Sequence, residues 1–178
     1  MTTEGYIAIG SNLGDRLKTI LMAVDLIDEL PEVSVLHVST MLETSAVGDV
    51  DQPDFLNGVL KVRSDLDSFS MLGKLLEIES HLGRERSSVT TGGPRTIDLD
   101  LILWGNEVVD SEHLTLPHPR FHERAFVLLP MVELAPDLVH PRNGSTMRDL
   151  LWSEIQSNGD LAQRCRPAGR GPLIPPEG

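Results

Sequence analysis

An α+β sandwich is predicted by three features of this 178-residue chain. Its apolar segments between residues 5 and 103 come in the order strand, helix, strand, strand, helix, strand. Two of them repeat apolar residues at every third or fourth position, as helices do. The others are short and alternating or rich in β-branched residues, as strands are. That order is the ferredoxin-like one, an antiparallel sheet with helices packed on it. Further elements follow toward the C-terminus.

Residues 5–9 (Gly-Tyr-Ile-Ala-Ile) read as a buried strand, and Gly10-Ser11-Asn12-Leu13-Gly14-Asp15 as a turn that opens a helix. Leu17, Ile20, Leu21, Val24, Ile27 and Leu30 keep helical spacing until Pro31 stops the run. Residues 33–38 form a second strand. Residues 40–54 hold Gly, Pro, Asp and Gln with little periodicity and read as a long loop, a class often functional in compact domains. Phe55 to Arg63 alternates as a third strand, with Phe55, Asn57, Val59 and Lys61 on one face. Phe69, Leu72, Leu75, Leu76, Ile78 and Leu82 predict a second helix, with Asp67 or Ser68 as N-cap and Gly83 just past its end. Residues 84–96 are polar and read as a second loop, and Ile97 to Leu103 as a fourth strand. Asn106 to Asp110 suggests a hairpin arm, residues 123–134 a helix interrupted by Pro130, and Thr146 to Ile155 a last helix. One domain over 1–165 is expected, with a Pro/Gly-rich disordered tail over 166–178.

Lys plus Arg number 15 and Asp plus Glu 27, a net charge of −12 that argues against a nucleic-acid-binding face. A few arginines in one cleft can still recruit an anionic small molecule. The single cysteine, Cys165, excludes an internal disulfide framework and fits a reducing compartment. No apolar run nears the ~20 residues of a membrane span, and no secretory signal precedes the first strand. A cytoplasmic protein is expected.

The chemistry concentrates around Asp98 and Asp100. Two residues apart on a strand, they share one face, with side chains roughly 7 Å apart. Ile97, Leu99, Leu101 and Leu103 point the other way. Two carboxylates so placed repel each other, and a hard divalent cation removes that repulsion. A solvated strand face is the alternative from spacing alone. Arg84, Arg86 and Arg95 bracket the loop just before them, and guanidinium groups match phosphate oxygens. Cations leading into a carboxylate pair suit metal-assisted phosphoryl transfer, although ion pairs with Glu79 and Glu85 would also account for them. His118 is held between two prolines, which suits a positioned contact or a plain turn. His118 and His122 are four apart, but the prolines speak against the regular helix that a zinc pair would need. Phe55 and Phe126 fit either a core or the walls of a slot for a flat heterocycle, and Asn57 can read an amide-like ring edge. Neither a P-loop nor a Gly-x-Ser-x-Gly elbow occurs.

Six ordered motifs carry a family resemblance: Tyr6-Ile-Ala-Ile-Gly-Ser-Asn-Leu-Gly14, Gln52-Pro-Asp-Phe-Leu-Asn57, Ile78-Glu-Ser-His-Leu-Gly-Arg-Glu-Arg86, Gly93-Pro-Arg-Thr-Ile-Asp-Leu-Asp-Leu-Ile102, Leu116-Pro-His-Pro-Arg120 and Arg124-Ala-Phe-Val-Leu128. The chain resembles 6-hydroxymethyl-7,8-dihydropterin pyrophosphokinase of folate biosynthesis. The resemblance implies pyrophosphoryl transfer from ATP, with AMP released, and a ferredoxin-like fold. Asp98 and Asp100 would hold two Mg²⁺ ions. Arg84, Arg86 and Arg95 would contact phosphates, and these five residues would be the catalytic set. Glu79, Leu101, Thr115, His118 and Arg124, with Arg84 and Arg86, would lie along the nucleotide. Phe55 and Phe126 would sandwich the pterin, and Asn57 with Thr44, Ser45 and Val47 would read its polar edge. The implied partners are small molecules, not nucleic acid or membrane, with the chain a monomer or weak homodimer. One departure stands out: Thr91 and Gly92 occupy positions where the family usually has a basic residue and a large aromatic. A nucleotidyltransferase of another family also uses Asp-x-Asp on a strand, but with a Gly-Ser turn nearby, and here Gly10-Ser11 lies far upstream. A non-enzymatic binding module on the same fold is the third reading.

Overall fold

The computed structural model describes residues 2–45, 53–83, 95–158 and 165–168. The expected order holds with one strand, β3, added: β1 (Thr3–Ser11), α1 (Arg16–Asp28), β2 (Val33–Val38), β3 (Leu42–Thr44), β4 (Phe55–Ser64), α2 (Ser68–His81) and β5 (Asp98–Trp104). Then come the short strands β6 (Val109–Asp110) and β7 (Thr115–Leu116), the helices α3 (Ala125–Leu134) and α4 (Met147–Ser157), and β8 (Cys165–Pro167). A 3-10 turn at Phe121–Glu123 leads into α3.

The main sheet runs β5-β1-β4-β3-β8, and β2 also pairs with β4. Every pairing is antiparallel. β4 is long enough to take two neighbours along one side: β3 on Phe55–Asn57 and β2 on Leu60–Ser64. With β3 and β8 set aside, the order β5-β1-β4-β2 is the ferredoxin-like sandwich.

The helices begin where their caps demand. Asp15 accepts the Lys18 N–H at 3.1 Å and Asp67 accepts the Ser70 N–H at 2.9 Å, so Asp67 is the cap of α2. Gly83, at φ +85°, takes the left-handed position just beyond α2. Ile20, Val24 and Ile27 of α1 and Met71, Leu75 and Ile78 of α2 pack with Ile7, Ile9, Leu99 and Leu101 on one face of the sheet. On the other face Tyr6, Val59 and Ile102 meet Val127, Leu128 and Met131 of α3 and Met147, the first residue of α4. A capping box of Thr146 and Asp149 starts α4.

Four elements differ from the sequence expectation. Residues 40–54 are not all loop, because β3 lies inside them; three residues are too few for an alternation to register, and the strand depends on pairing with β4. The hairpin arm is Val109–Asp110 with Thr115–Leu116 rather than 106–110. Helix α3 starts at Ala125 and continues through Pro130. The boundary expected at 165/166 falls inside β8, which pairs with β3 through Leu42↔Pro167 and Thr44↔Cys165. Residues 169–178 lie outside the described residues.

Candidate active site

One row across the sheet organises the site. Gly10 of β1 pairs with Asn57 of β4 on one side and with Asp98 of β5 on the other. Paired residues point to the same face, so Asp98 and Asn57 look the same way across a residue without a side chain. With strands about 4.8 Å apart, their backbones stand about 10 Å apart. The next row is Asp100, Ala8 and Val59. The aspartates and Asn57 therefore share a face, which α3 and α4 cover at its other end. Asp98 and Asp100 are neither core nor fully solvated, with side chains 21% and 35% exposed.

Each aspartate carries a guanidinium. Arg95 Nη1 donates to Asp98 Oδ2, and Arg124 Nη1 lies 3.8 Å from Asp100 Oδ2. Burial first, and then the neighbouring Asp98, push the Asp100 carboxyl up from 3.8 to about 6, against the pull of Arg124. Arg124 also places its guanidinium carbon 5.9 Å from the centre of the Phe126 ring. Phe126 is the second residue of α3, so the start of that helix links an aromatic wall to the carboxylates.

At the other end of the row, Asn57 Nδ2 donates to Thr44 Oγ1 at 2.7 Å. Phe55 and Thr44 pair directly, on the same face as Asn57 and Leu42. Ser45 is exposed at the end of β3. The side chains of Phe55, Asn57 and Thr44 thus converge on the β3 side.

Glu79 is almost fully buried, 1% exposed, and accepts the Leu99 N–H at 2.8 Å. It anchors α2 to the strand between the two aspartates. His118 N donates to Ile102 O at 2.9 Å, which lays the His118 segment along the outer edge of β5. The Arg120 N–H donates to His118 Nδ1 at 3.3 Å, so the neutral ring carries its proton on Nε2. Burial, then the nearby Arg124 charge, push His118 down to about 4. Being a base with a depressed value, it contributes stability that is lost as pH falls below its unfolded value near 6.5. Asp100 opposes this over much of the same window. In a histidine NMR titration His118 should hold its neutral-ring shift to pH 5 and titrate near 4; a midpoint near 6.5 would mean that the ring is solvated.

Thr115 is half-buried in β7 and Leu101 is buried in β5. Arg84, Arg86 and Val47 lie outside the described residues, as do Thr91 and Gly92.

Comparison with known proteins adds the deciding observation: residues 6–136 match the family of 7,8-dihydro-6-hydroxymethylpterin-pyrophosphokinase, HPPK. The chain belongs to the HPPK family. It is 42% identical over 134 residues to the 2-amino-4-hydroxy-6-hydroxymethyldihydropteridine pyrophosphokinase of Bacillus subtilis, covering 75% of this chain and 79% of that protein. It is 39% identical over 154 residues to the folic acid synthesis protein fol1 of Schizosaccharomyces pombe, covering 86% of this chain and 21% of that protein. The chain thus spans about a fifth of the length of that fungal relative. A solved HPPK-DHPS structure from Plasmodium falciparum with pteroate superposes at a TM-score of 0.72 with 14% identity, over 94% of this chain and 46% of that one. This likeness bears on the fold, and it agrees with the ferredoxin-like arrangement.

The HPPK motifs read from the sequence supply most of the side chains gathered here. Asn12 and Arg16 were not singled out. Asn12 is 1% exposed and bonded to both Arg95 and Pro53, and Arg16 donates to Asp54 O and Glu43 Oε1. Only the Gly-Ser-Asn turn hinted at them.

Proposed function

We propose that the chain transfers the terminal pyrophosphoryl group of ATP to the hydroxymethyl oxygen of 6-hydroxymethyl-7,8-dihydropterin, releasing AMP. Family membership supports the reaction class, and the row Asp98–Gly10–Asn57 carries the reading at this site. It sets an acidic group and a ring-reading amide on one face, with open backbone between them. The attacking pterin oxygen and the β-phosphorus can meet over Gly10, while the bridging oxygen leaves with AMP.

The donor set fits magnesium. One or two carboxylates are its usual protein complement, with substrate phosphate oxygens and water as the remaining ligands. Among the described residues no group of three or more His, Cys, Asp or Glu side chains could cage an ion. Two Mg²⁺ ions on Asp98 and Asp100 would neutralise charge on the triphosphate and acidify the attacking alcohol. The chain's own residues supply the rest. Arg95 and Arg124, with Arg84 and Arg86, bind phosphate oxygens. His118, neutral at pH 7, donates from Nε2 without adding charge. The Leu99 N–H is taken by Glu79 on the outer side of β5, and strand alternation turns the Leu101 N–H and C=O the same way. They offer a donor and an acceptor to a purine edge, with Thr115 alongside. Asn57, Thr44, Ser45 and Val47 read the pterin edge, and Phe55 and Phe126 stack on its faces. Positioning and charge neutralisation account for the rate, without a strong general base. The reaction joins small molecules in the cytoplasm, with the chain a monomer or weak homodimer. No helix among the described residues is long and apolar enough to cross a membrane.

Incubation with ATP, Mg²⁺ and the reduced hydroxymethyl pterin should yield AMP by chromatography. Release of pyrophosphate instead would indicate nucleotidyl transfer, and no ATP consumption a binding module. Phe126→Ala should weaken pterin binding about 10- to 100-fold, the worth of one stacked ring, and ATP binding much less. Equal losses by calorimetry would count against a stacking slot.

A further inference from the structure

Asn12 lies two residues past Gly10 of the central row, just beyond the end of β1, and is 1% exposed. Its side chain and backbone reach two segments far apart in the chain. Asn12 Oδ1 accepts the Arg95 N–H at 2.7 Å, and Asn12 N donates to Arg95 O at 3.1 Å. Asn12 Nδ2 donates to Pro53 O at 3.2 Å. Arg95 is the residue whose guanidinium meets Asp98. Pro53 stands two residues before Phe55 and four before Asn57. One buried amide therefore ties the metal-and-phosphate half of the site to the pterin half. Only a side chain with one acceptor and one donor on the same short arm makes both bonds.

We infer that Asn12 is a positioning residue that holds the two halves in one register, so that the pterin oxygen and the reacting phosphorus are aligned in the ternary complex. This rests on the proposed pyrophosphoryl transfer. Register acts on alignment of the reacting atoms, and so on turnover more than on either affinity. Arg16 adds a second tether on the pterin side, donating to Asp54 O at 2.9 Å, but it makes no bond to Arg95 and cannot replace the link.

The test measures kcat together with the binary Kd values for the pterin and for magnesium with a non-hydrolysable ATP analogue. Asn12→Ala should lower kcat about 10- to 100-fold, the usual effect of losing an outer-shell partner, with each Kd within about threefold. Asn12→Asp keeps the acceptor for Arg95 and loses the donor to Pro53. It should lower kcat about tenfold while leaving the nucleotide Kd unchanged, and it decides the matter if Asn12→Ala does not fold. Leu13→Ala, at an exposed neighbour in the same turn, should match wild type. Wild-type kcat in Asn12→Asp, or loosened affinities with kcat intact, would overturn the inference. Absence of AMP formation by the wild type would instead remove the functional reading beneath it.

Discussion

Asp100→Asn should abolish turnover and at the same time raise the melting temperature. The side chain's carboxyl is pushed up from 3.8 to about 6, first by burial and then by Asp98. A raised carboxyl pKa means that the folded protein prefers the protonated form. Its stabilising contribution is present below the unfolded value near 4 and lost as pH rises through 6. At pH 7 the folded state therefore holds a charge that it would rather neutralise. The full shift corresponds to about 3 kcal/mol. With the side chain 35% exposed, solvent screening leaves about 1 kcal/mol. Asparagine keeps the shape and removes the charge, so Tm at pH 7 should rise by about 2–4 °C. The gain should fade toward pH 4, where the wild-type carboxyl is neutral as well. Turnover should fall about a thousandfold or more, because a carboxylate that would hold the metal is gone. Asp98→Ala should lose as much activity. A destabilised Asp100→Asn at pH 7, or one with wild-type turnover, contradicts the assignment of this pair as a metal site.

Gly10→Ala should cost pterin affinity about 100-fold through a single methyl group. A Cβ at Gly10 would stand 2.4 Å from Asn57 Oδ1, too close for any real contact. The flexible partner gives way, so Asn57 swings off and its 2.7 Å bond to Thr44 breaks. A site built to hydrogen-bond a ring edge then presents a misplaced amide, worth about 2–3 kcal/mol. The three atoms nearest that Cβ belong to Asn57 and Leu56, not to Asp98. Nucleotide affinity should therefore change much less. Overpacking should also lower stability by about 1–3 kcal/mol. A double-mutant cycle isolates the mechanism: in an Asn57→Ala background the methyl group should add almost no further loss of pterin affinity. Additive losses would mean that Gly10 acts by some route other than Asn57.

The elements legible in the sequence were those with enough residues to show a period. β4, with ten residues, and the first four residues of β5 alternate, and that alternation put Asp98 and Asp100 on one face. Helix α1 was legible as a helix but not in its buried arc. Leu17 and Leu21 keep apolar spacing yet are 44% and 39% exposed, while Ala23 is fully buried. β3 and β8, at three residues each, have no period of their own. What joins the site was less legible than its parts. That Asn57 and Asp98 share a face depends on two registers that meet at Gly10, and each register is set by pairing between distant segments. Asn12 was missed because its partners lie 41 and 83 residues away. The Arg95 contact to Asp98, only three residues on, was the nearest that local spacing came to the assembled site.

The pairing of each aspartate with a guanidinium has an electrical consequence. In the proposed reaction, a nucleotide approaching a chain of net charge −12 would meet, at this spot, a quartet that sums to nearly nothing: two carboxylates against Arg95 and Arg124. As phosphate and cation arrive together, the guanidiniums can pass to phosphate oxygens while the carboxylates pass to the cation. Under the proposed reading, partners would be exchanged one for one, and no half-buried ion would stand bare.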